Sequence, residues 1–451
     1  MRPQTERYVR DHLADALALV KRLCAQPSVS AQNYGVQECA SLVGEVLTEA
    51  GFQARLLPTA DPRYPVVYAE LSGESPHTLL LYNHYDVQPP DPLELWESPP
   101  FQPVEREGRL YGRGVYDDKG EIGARLAAVR ALLETRGRLP CTVKFLIEGA
   151  EEIGSPGLEA FVKEHRELLR ADACIWEGGG VNWEGQPQIT LGVKGMAYVE
   201  LECRAAATDS HSSYAPVVPN AAWRLAWALS TLKGPDERVR IRGFYDDVVP
   251  PTEAELEAIR AMPAEEALYK ESLGVRRFLL DAQGFEFRRR VLLEPTCNIC
   301  GIQSGYTGEG TKTVLPAVAR AKLDFRLVPE QRPEDIVAKL RVHLEEHGFQ
   351  DVEVMALEGE APARTPMDSP WVALVTNAAR TVYGKEPVII PTMPGTGPMH
   401  PFVKVLGLPV ASSGIGYPDN RIHAPNENIR HDYFLLGVLH AVEIMERLGQ
   451  G

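Results

Sequence analysis

The chain has 451 residues, a mass of 49.8 kDa and 44% hydrophobic residues, which suffices for a large core in about two to three domains. Its formal net charge of -15 and pI near 5.3 argue against binding nucleic acid or anionic membranes, because affinity for phosphate depends on clustered Lys and Arg. No apolar run approaches the roughly 20 residues of a membrane helix. Seven cysteines, an odd number without regular spacing, favour a reducing compartment. We therefore expect a soluble cytoplasmic protein.

The first part of the chain alternates helical and strand patterns, which predicts an α/β fold whose central sheet is flanked by helices. Predicted helices span 8–25, 35–51, 119–136 and 156–169, and predicted strands span 65–71, 77–83, 141–148 and 173–176. Polar clusters around His84, Asp117, Glu151 and Glu177 lie where strands end or helices begin. Open α/β sheets place their sites at such strand ends.

From about residue 195 the pattern changes to a strand, a helix over 220–232, a less regular stretch containing prolines, two strands and a helix over 333–346. This pattern predicts an inserted α+β domain over 194–362. Alternation then returns, with a helix over 371–383, strands near Val388 and Val410, and a closing helix over 432–447. We therefore predict a catalytic domain formed by 1–193 and 363–451.

Two of the polar clusters contain candidate metal ligands. His84 and Asp86 lie two residues apart at a predicted strand end, so both side chains point to the same side. His84 can then bind a metal while Asp86 orients its ring or a neighbouring carboxylate. Asp117 and Asp118 lie between glycines at a predicted helix start. Helix capping explains one aspartate but not both, and a carboxylate with two oxygens can bridge two cations.

Four more residues complete the candidate set. Glu151 and Glu152 are adjacent carboxylates, which repel unless a positive charge such as a metal ion lies beside them. Glu152 can bind the ion while Glu151 faces water as a general base, and an exposed acidic helix start is the alternative. Glu177 directly follows an apolar strand, where a buried acid needs a partner. His423 taken alone more often indicates a capping or surface residue.

In this order, the segments around these residues resemble the family-twenty metallopeptidases, which include carnosinase-like dipeptidases, glutamate carboxypeptidase, aminoacylase and succinyl-diaminopimelate desuccinylase. The resemblance covers almost the whole chain. The segments beginning at Lys312 (KTVLP) and Leu323 (LDFRLVP) are especially similar to the dipeptidase branch. The resemblance implies a di-metal catalytic domain with an inserted lid and dimerisation domain, and hence a homodimer.

The resemblance also assigns the metal site and its chemistry. Two divalent ions per subunit, expected to be zinc with manganese or cobalt as alternatives, would be bound by His84, Asp117, Glu152, Glu177 and His423. Asp117 would bridge the ions, with His84 and Glu177 completing one site and Glu152 and His423 the other.

Two further acids have implied roles in catalysis. Glu151 matches the family's general base, and Asp86 matches the acid that supports the metal site. The implied reaction is amide hydrolysis by a metal-bridged hydroxide, in which Glu151 takes the proton and delivers it to the leaving amine. The peptide bond between Asp117 and Asp118 is expected to be cis.

In the inserted domain, the resemblance implies that His211 reaches the partner subunit's active site and stabilises the tetrahedral intermediate. Arg326 would bind the free carboxylate of the substrate, for which a planar guanidinium is suited, and Thr313 would assist. Gly395 and Thr396 fall in the loop that closes over the same end of the substrate.

The predicted function is therefore metal-dependent hydrolysis of dipeptides or short peptides with a free C-terminal carboxylate. The alternatives are an N-acyl-amino-acid deacylase with the same di-metal centre and a catalytically silent dimeric binding protein. Three positions depart from the family pattern: Glu177 stands where family dipeptidases usually have Asp, Ser213 replaces a common Gly, and the loop ending at His400 differs from the usual family loop. The subfamily and the side-chain preference therefore stay open. Cys297 and Cys300 are interpreted as partly buried thiols, because a zinc site would need a second ligand pair.

Overall fold

The computed structural model describes residues 1–450, which form two compact units. The large unit consists of Met1–Gly192, Arg364–Pro391 and the chain from Pro398 onward, and the inserted unit consists of Val193–Ala363 and Thr392–Gly397. The sequence analysis placed the segment Thr392–Gly397 in the catalytic domain, whereas the structure groups it with the inserted unit. The roles of the two units as catalytic and lid domains stay predictions.

Helices and strands alternate through most of the described chain. The helices are α1 Pro3–Asp11, α2 Leu13–Ala25, α3 Val36–Glu49, α4 Lys119–Arg136, α5 Leu158–Glu164, α6 Ala221–Leu232, α7 Glu253–Ala261, α8 Glu266–Leu273, α9 Gly284–Leu293, α10 Pro333–Glu346, α11 Pro370–Tyr383 and α12 His431–Leu448. The strands are β1 Gln53–Leu57, β2 Val66–Leu71, β3 Thr78–His84, β4 Val104–Arg106, β5 Arg109–Tyr111, β6 Thr142–Glu148, β7 Ala173–Trp176, β8 Gly180–Val181, β9 Pro187–Thr190, β10 Gly192–Val193, β11 Gly195–Arg204, β12 Ser210–His211, β13 Asn298–Ser304, β14 Val314–Leu315, β15 Val318–Leu327, β16 Val352–Glu360, β17 Ala363–Arg364, β18 Val388–Ile390, β19 Val410–Ser412 and β20 Asn428–Arg430. No helix among residues 1–450 is long and apolar enough to cross a bilayer.

A six-stranded sheet with the order β1-β2-β6-β3-β7-β19 forms the centre of the large unit. β3 runs parallel to β6 and β7, and β7 runs parallel to β19. Residues of these strands, such as Leu81 and Phe145, are buried together with helix residues such as Val43, Leu132 and Val438. Strands buried in this way need helices over their faces. The predicted α/β fold with a central sheet flanked by helices is confirmed.

The carboxyl ends of the parallel strands meet at one edge of this sheet and carry polar residues. His84 is the last residue of β3 and lies beside Glu148, the last residue of β6. Glu177 follows β7 directly, and Glu151 lies three residues beyond the end of β6. The sheet therefore brings together residues that are far apart in the sequence, as is typical of sites in open α/β sheets.

An antiparallel sheet with the order β13-β15-β11-β16 forms the inserted unit. α6 and α10 pack against its central strands, and buried and partly exposed residues alternate along β11. One face of the sheet therefore packs against the helices while the other stays open. Leu225 of α6, Leu340 of α10 and Phe325 of β15 belong to the same core, so the predicted α+β architecture of this region is observed.

Most predicted elements agree with the structure, and the differences have local causes. The predicted helix over 8–25 is two helices, because His12 leaves the helical region with φ -110° and ψ 20°. The stretch expected to be less regular contains α7, α8 and α9. Its prolines lie outside these short helices: Pro251 precedes α7, Pro263 lies between α7 and α8, and Pro295 follows α9. β1 was not predicted, because this edge strand is largely exposed and lacks a buried run.

Candidate active site

The carboxylate of Asp117 lies between two imidazoles from distant parts of the large unit. Its Oδ1 is 3.0 Å from Nε2 of His84, and its Oδ2 is 2.8 Å from Nε2 of His423. His84 ends β3 and His423 belongs to the loop before β20, so only the fold brings them together. Each carboxylate oxygen faces a different nitrogen, which is the arrangement needed for a carboxylate shared by two metal ions.

One further carboxylate lies on each side of this centre. Oε2 of Glu177 is 3.7 Å from Nε2 of His84, and Oε2 of Glu152 is 3.3 Å from Nε2 of His423. The structure thus gathers His84 and Glu177 at one oxygen of Asp117 and His423 and Glu152 at the other. These are the two groups that the resemblance implied. Glu151 lies close to the first group, because His84, Glu151 and Glu177 offer possible ligand atoms within 4.8 Å of one another.

The electrostatics of the cluster indicate that it needs positive charge. Burial is the main cause that raises the pKa of Glu151 and of Glu177, and the negative charges of nearby acids raise it further. Burial opposes ionisation of Asp117, but hydrogen bonds from His423 and His84 hold the pKa of its carboxyl below the usual range. Oε2 of Glu177 is buried and has no hydrogen-bond partner within residues 1–450. Carboxylates crowded in this way are stabilised by a cation, and oxygen and imidazole donors suit zinc, manganese and cobalt.

Asp86 supports this cluster in two ways. Its main-chain oxygen is 3.0 Å from Nδ1 of His84, closer than its carboxylate oxygen at 3.4 Å. Its carboxylate instead accepts the main-chain N–H groups of Glu151 at 3.2 Å and Glu152 at 3.1 Å. Asp86 therefore orients the imidazole and fixes the turn that presents both glutamates, whereas the sequence alone left these two roles as alternatives.

Gln88 is a site residue that the sequence analysis missed. Its side-chain Nε2 donates to Oε2 of Glu152 at 2.8 Å, and its main-chain N–H donates to Oε1 of the same carboxylate at 3.0 Å. Gln88 thereby fixes the orientation of Glu152. The available signal was its position, two residues after Asp86 in the same extended segment.

Glu427 is a second missed residue, and it organises the turn that presents Asp117. It is fully buried, and its carboxylate accepts hydrogen bonds from the main-chain N–H groups of Tyr116 and Asp117, from that of Gly114, and from Nη1 of Arg113. Its place four residues after His423 was the only sequence signal. One buried carboxylate therefore joins the His423 loop to the Asp117 turn.

We expect Glu427→Gln to lower the free energy of unfolding of the metal-free chain by about 3 kcal/mol, because the buried Arg113 would lose its ionic partner. Urea denaturation followed by circular dichroism would measure this change. Glu6→Gln provides a matched control, because Glu6 forms an exposed pair with Arg10 and should cost less than about 0.5 kcal/mol. Equal losses in the two variants would show that Glu427 does not stabilise the turn.

The two strands that carry His84 and Glu177 are held together beneath the site. Arg125 is buried and donates to the main-chain oxygens of Tyr82 in β3 and Trp176 in β7. Asp118 accepts the main-chain N–H of His84 at 3.0 Å, and burial raises the pKa of its carboxyl to about 7. The peptide bond between Asp117 and Asp118 is cis, as the resemblance led us to expect.

The candidate residues of the inserted unit form two pairs. Nε2 of His211 lies 3.3 Å from Oγ1 of Thr313, and both side chains are exposed. Nη1 of Arg326 donates to Oγ1 of Thr396 at 2.7 Å. The main-chain oxygen of Gly395 accepts the N–H of Lys194 at 3.0 Å, which fixes the loop that carries Thr396. Within residues 1–450 no hydrogen bond or ion pair joins the His211 pair to the Arg326 pair.

His400 and the two neighbouring cysteines lie in other surroundings. Nδ1 of His400 is 3.4 Å from Oε2 of Glu159 on α5, and His400 belongs to neither group of possible metal ligands found in residues 1–450. Cys297 is buried and Cys300 is exposed, with its Sγ 3.2 Å from Oδ1 of Asp324. Neither cysteine belongs to the groups of possible metal ligands found in residues 1–450.

Comparisons with known proteins show the family to which the chain belongs. The model of the peptidase family M20/M25/M40 matches residues 80–447. The Beta-Ala-His dipeptidase of Homo sapiens is 30% identical over 385 residues, which cover 83% of this chain and 76% of that protein. The Cys-Gly metallodipeptidase dug1 of Schizosaccharomyces pombe is 29% identical over 404 residues, which cover 84% of this chain and 81% of that protein.

Two solved structures are similar over nearly their whole length. The M20 family metallo-carboxypeptidase Sso-CP2 from Sulfolobus solfataricus has a TM-score of 0.91 and 41% identity, with 97% of this chain and 99% of that chain covered. Human carnosine dipeptidase 1 has a TM-score of 0.80 and 27% identity, with 99% of both chains covered. The similarity therefore extends over both units.

Proposed function

Because this chain belongs to the peptidase family M20/M25/M40, we propose that it hydrolyses dipeptides or short peptides that carry a free C-terminal carboxylate, using two divalent metal ions. Membership in the family, with named metallodipeptidases among the relatives, makes the chain a dipeptidase-like metalloenzyme, as the sequence predicted. The position of Asp117 between His84 and His423 is the observation that carries the proposal of two ions.

The charge of the cluster supports two ions. Asp117, Glu151, Glu152 and Glu177 supply four carboxylates, and two doubly charged cations would neutralise them when they are ionised. His84 and Glu177 would hold one cation and His423 and Glu152 the other, with Asp117 shared. Oε2 of Glu177, which is buried and has no hydrogen-bond partner within residues 1–450, would then coordinate a cation.

The chain's own residues would move the protons of the reaction. When bound, the two cations would polarise the scissile carbonyl and lower the pKa of water. The carboxylate of Glu151 would accept a proton from the attacking water and deliver it to the nitrogen of the leaving amine. Asp86 would keep Glu151 in place by accepting the main-chain N–H of Glu151. Gln88 would fix the orientation of the Glu152 carboxylate by donating to its Oε2.

The names of the relatives suggest the substrates to test first. They include a Beta-Ala-His dipeptidase and a Cys-Gly metallodipeptidase, so both dipeptides and their N-acetylated forms should be assayed with zinc, manganese and cobalt. We expect hydrolysis of the free dipeptides and at least tenfold slower hydrolysis of the acetylated forms. The opposite preference would identify an N-acyl-amino-acid deacylase, and no hydrolysis of any small amide would contradict the proposal.

We also propose that the working enzyme is a homodimer formed through the inserted unit. β13 lies at the edge of its sheet, and nearly all of its residues are exposed, which leaves a strand edge open for pairing. Trp223 and Trp227 of the neighbouring α6 stack on each other and are 61% and 54% exposed. Large exposed aromatic side chains are typical of interface residues. A second copy of the chain would cover both features.

The homodimer gives His211 a role in the partner's active site, which a mixing experiment would test. Chains carrying Glu151→Gln and chains carrying His211→Ala should each form nearly inactive homodimers. A heterodimer made by co-expression combines one intact Glu151 with one intact His211 at one of its two sites. Activity should return, up to about half per heterodimer if the sites are independent. A folded, metal-loaded heterodimer without activity would show that His211 does not act in the partner.

A further inference from the structure

Lys194 is a buried cation beside Arg326. It directly precedes β11, and it is only 2% exposed. Its Nζ donates to the main-chain oxygen of Glu294 at 2.6 Å. Glu294 leads into β13, and β15 lies between β13 and β11 in the sheet. The side chain of Lys194 therefore crosses β15 to reach its acceptor.

The register of the sheet shows that Arg326 lies on the path of this side chain. Met196 of β11 is paired with Arg326 of β15, and paired residues point to the same face. Lys194 is two residues before Met196 and extends along the same face. Burial lowers the pKa of Lys194 to about 8, with the charge of Glu294 raising it and the charge of Arg326 lowering it.

Arg326 has an acid of its own, whereas Lys194 shares its acid with another cation. Oδ2 of Asp324 lies 3.3 Å from Nε of Arg326. The carboxylate of Glu294 raises the pKa of Lys194, but the same carboxylate pairs with Arg289 at 2.6 Å. The group of Lys194, Arg326 and Asp324 therefore carries one net positive charge, and Lys194 supplies it.

An ammonium group has three N–H donors, and the main-chain oxygen of Glu294 is the only acceptor of Lys194 within residues 1–450. Burying a charge with so few partners is costly. Lys194 and Arg326 also share the same loop, because the N–H of Lys194 donates to Gly395 and the guanidinium of Arg326 donates to Thr396. Adjacent residues of one loop thus contact the main chain of Lys194 and the side chain of Arg326.

We propose that Lys194 is a substrate-binding residue which, together with Arg326, binds the C-terminal carboxylate of the substrate. The inference rests on the proposed function. Without Lys194 the site would contain only the neutral pair of Arg326 and Asp324, which attracts a carboxylate weakly. With Lys194 its net charge of one matches a single carboxylate. The site therefore selects substrates that end in one free carboxylate over amidated peptides.

The test compares alanyl-alanine with its C-terminal amide. Lys194→Met removes the charge and keeps a side chain of similar length, and we expect it to lower kcat/KM for the free acid at least tenfold, mainly through KM. The amide should change less than about threefold, since it lacks the charged group that Lys194 contacts. Lys194→Arg restores the charge and should recover most of the selectivity. Lys322→Met removes an exposed lysine from the same strand as Arg326 and should change neither substrate.

The same variants should be titrated calorimetrically with both compounds, which separates this inference from the proposed function. If the wild type binds the free acid more tightly than the amide but hydrolyses neither, the proposed function is wrong. The role of Lys194 in binding is supported in that case if Lys194→Met abolishes the difference in affinity between the two compounds. If Lys194→Met weakens both compounds equally, Lys194 only maintains the fold of the loop. Unchanged binding and kcat/KM in Lys194→Met would remove it from the site, as would a wild type that binds neither compound.

Discussion

Glu151→Gln is expected to lower kcat by about a hundredfold or more while the metal content stays at that of the wild type. Glutamine has nearly the same shape as glutamate but cannot accept the proton, and loss of a general base has an effect of this size. The main-chain N–H of residue 151 would still donate to Asp86, so the turn should keep its shape. Steady-state kinetics on a dipeptide and elemental analysis of the same preparation would measure both quantities.

Glu152→Gln is the matched control, since it makes the same chemical change in the next residue. Glu152 faces His423 at 3.3 Å and is held by Gln88, so its substitution should weaken metal binding by about tenfold or more, and excess metal should restore part of the activity. If Glu151→Gln lost metal and Glu152→Gln kept it, the assignments within the pair would be reversed.

Removing the metal ions with a chelator is expected to lower activity by about a thousandfold or more, with recovery when zinc, manganese or cobalt is added. The expected loss is large because activation of water and polarisation of the carbonyl would disappear together. The remaining cluster would consist of carboxylates crowded around two imidazoles. Circular dichroism before and after treatment would verify that the chain stays folded. Full activity in a preparation without metal would exclude metal-dependent catalysis.

The sequence predicted the large unit well because its elements are long and strongly patterned. α4 and β7 have the predicted bounds, and both belong to the buried core. The inserted unit was less predictable, because α7, α8 and α9 are short helices in a stretch that contains prolines, and their periodicity is too brief to recognise. The grouping of Thr392–Gly397 with the inserted unit depends on contacts between distant segments, which no local pattern shows.

The candidate site, too, could be predicted only in part from local sequence patterns. Adjacent acids and strand-end positions indicated Asp117, Glu151 and Glu152, but His423 became meaningful only through the resemblance. Gln88 and Glu427 act on their neighbours through hydrogen bonds to carboxylates and main-chain groups. A single Gln or Glu in a loop has no pattern that distinguishes this role from a solvated side chain.

The central claim, that Asp117 holds two metal ions, is tested most directly by anomalous diffraction from crystals of the metal-loaded protein. Data collected at the absorption edge of zinc, manganese or cobalt would locate each ion without reference to activity. We predict two anomalous peaks per chain, one beside each carboxylate oxygen of Asp117, with His84 and Glu177 at one peak and His423 and Glu152 at the other. A single peak at full loading, or peaks that do not contact Asp117, would contradict the account.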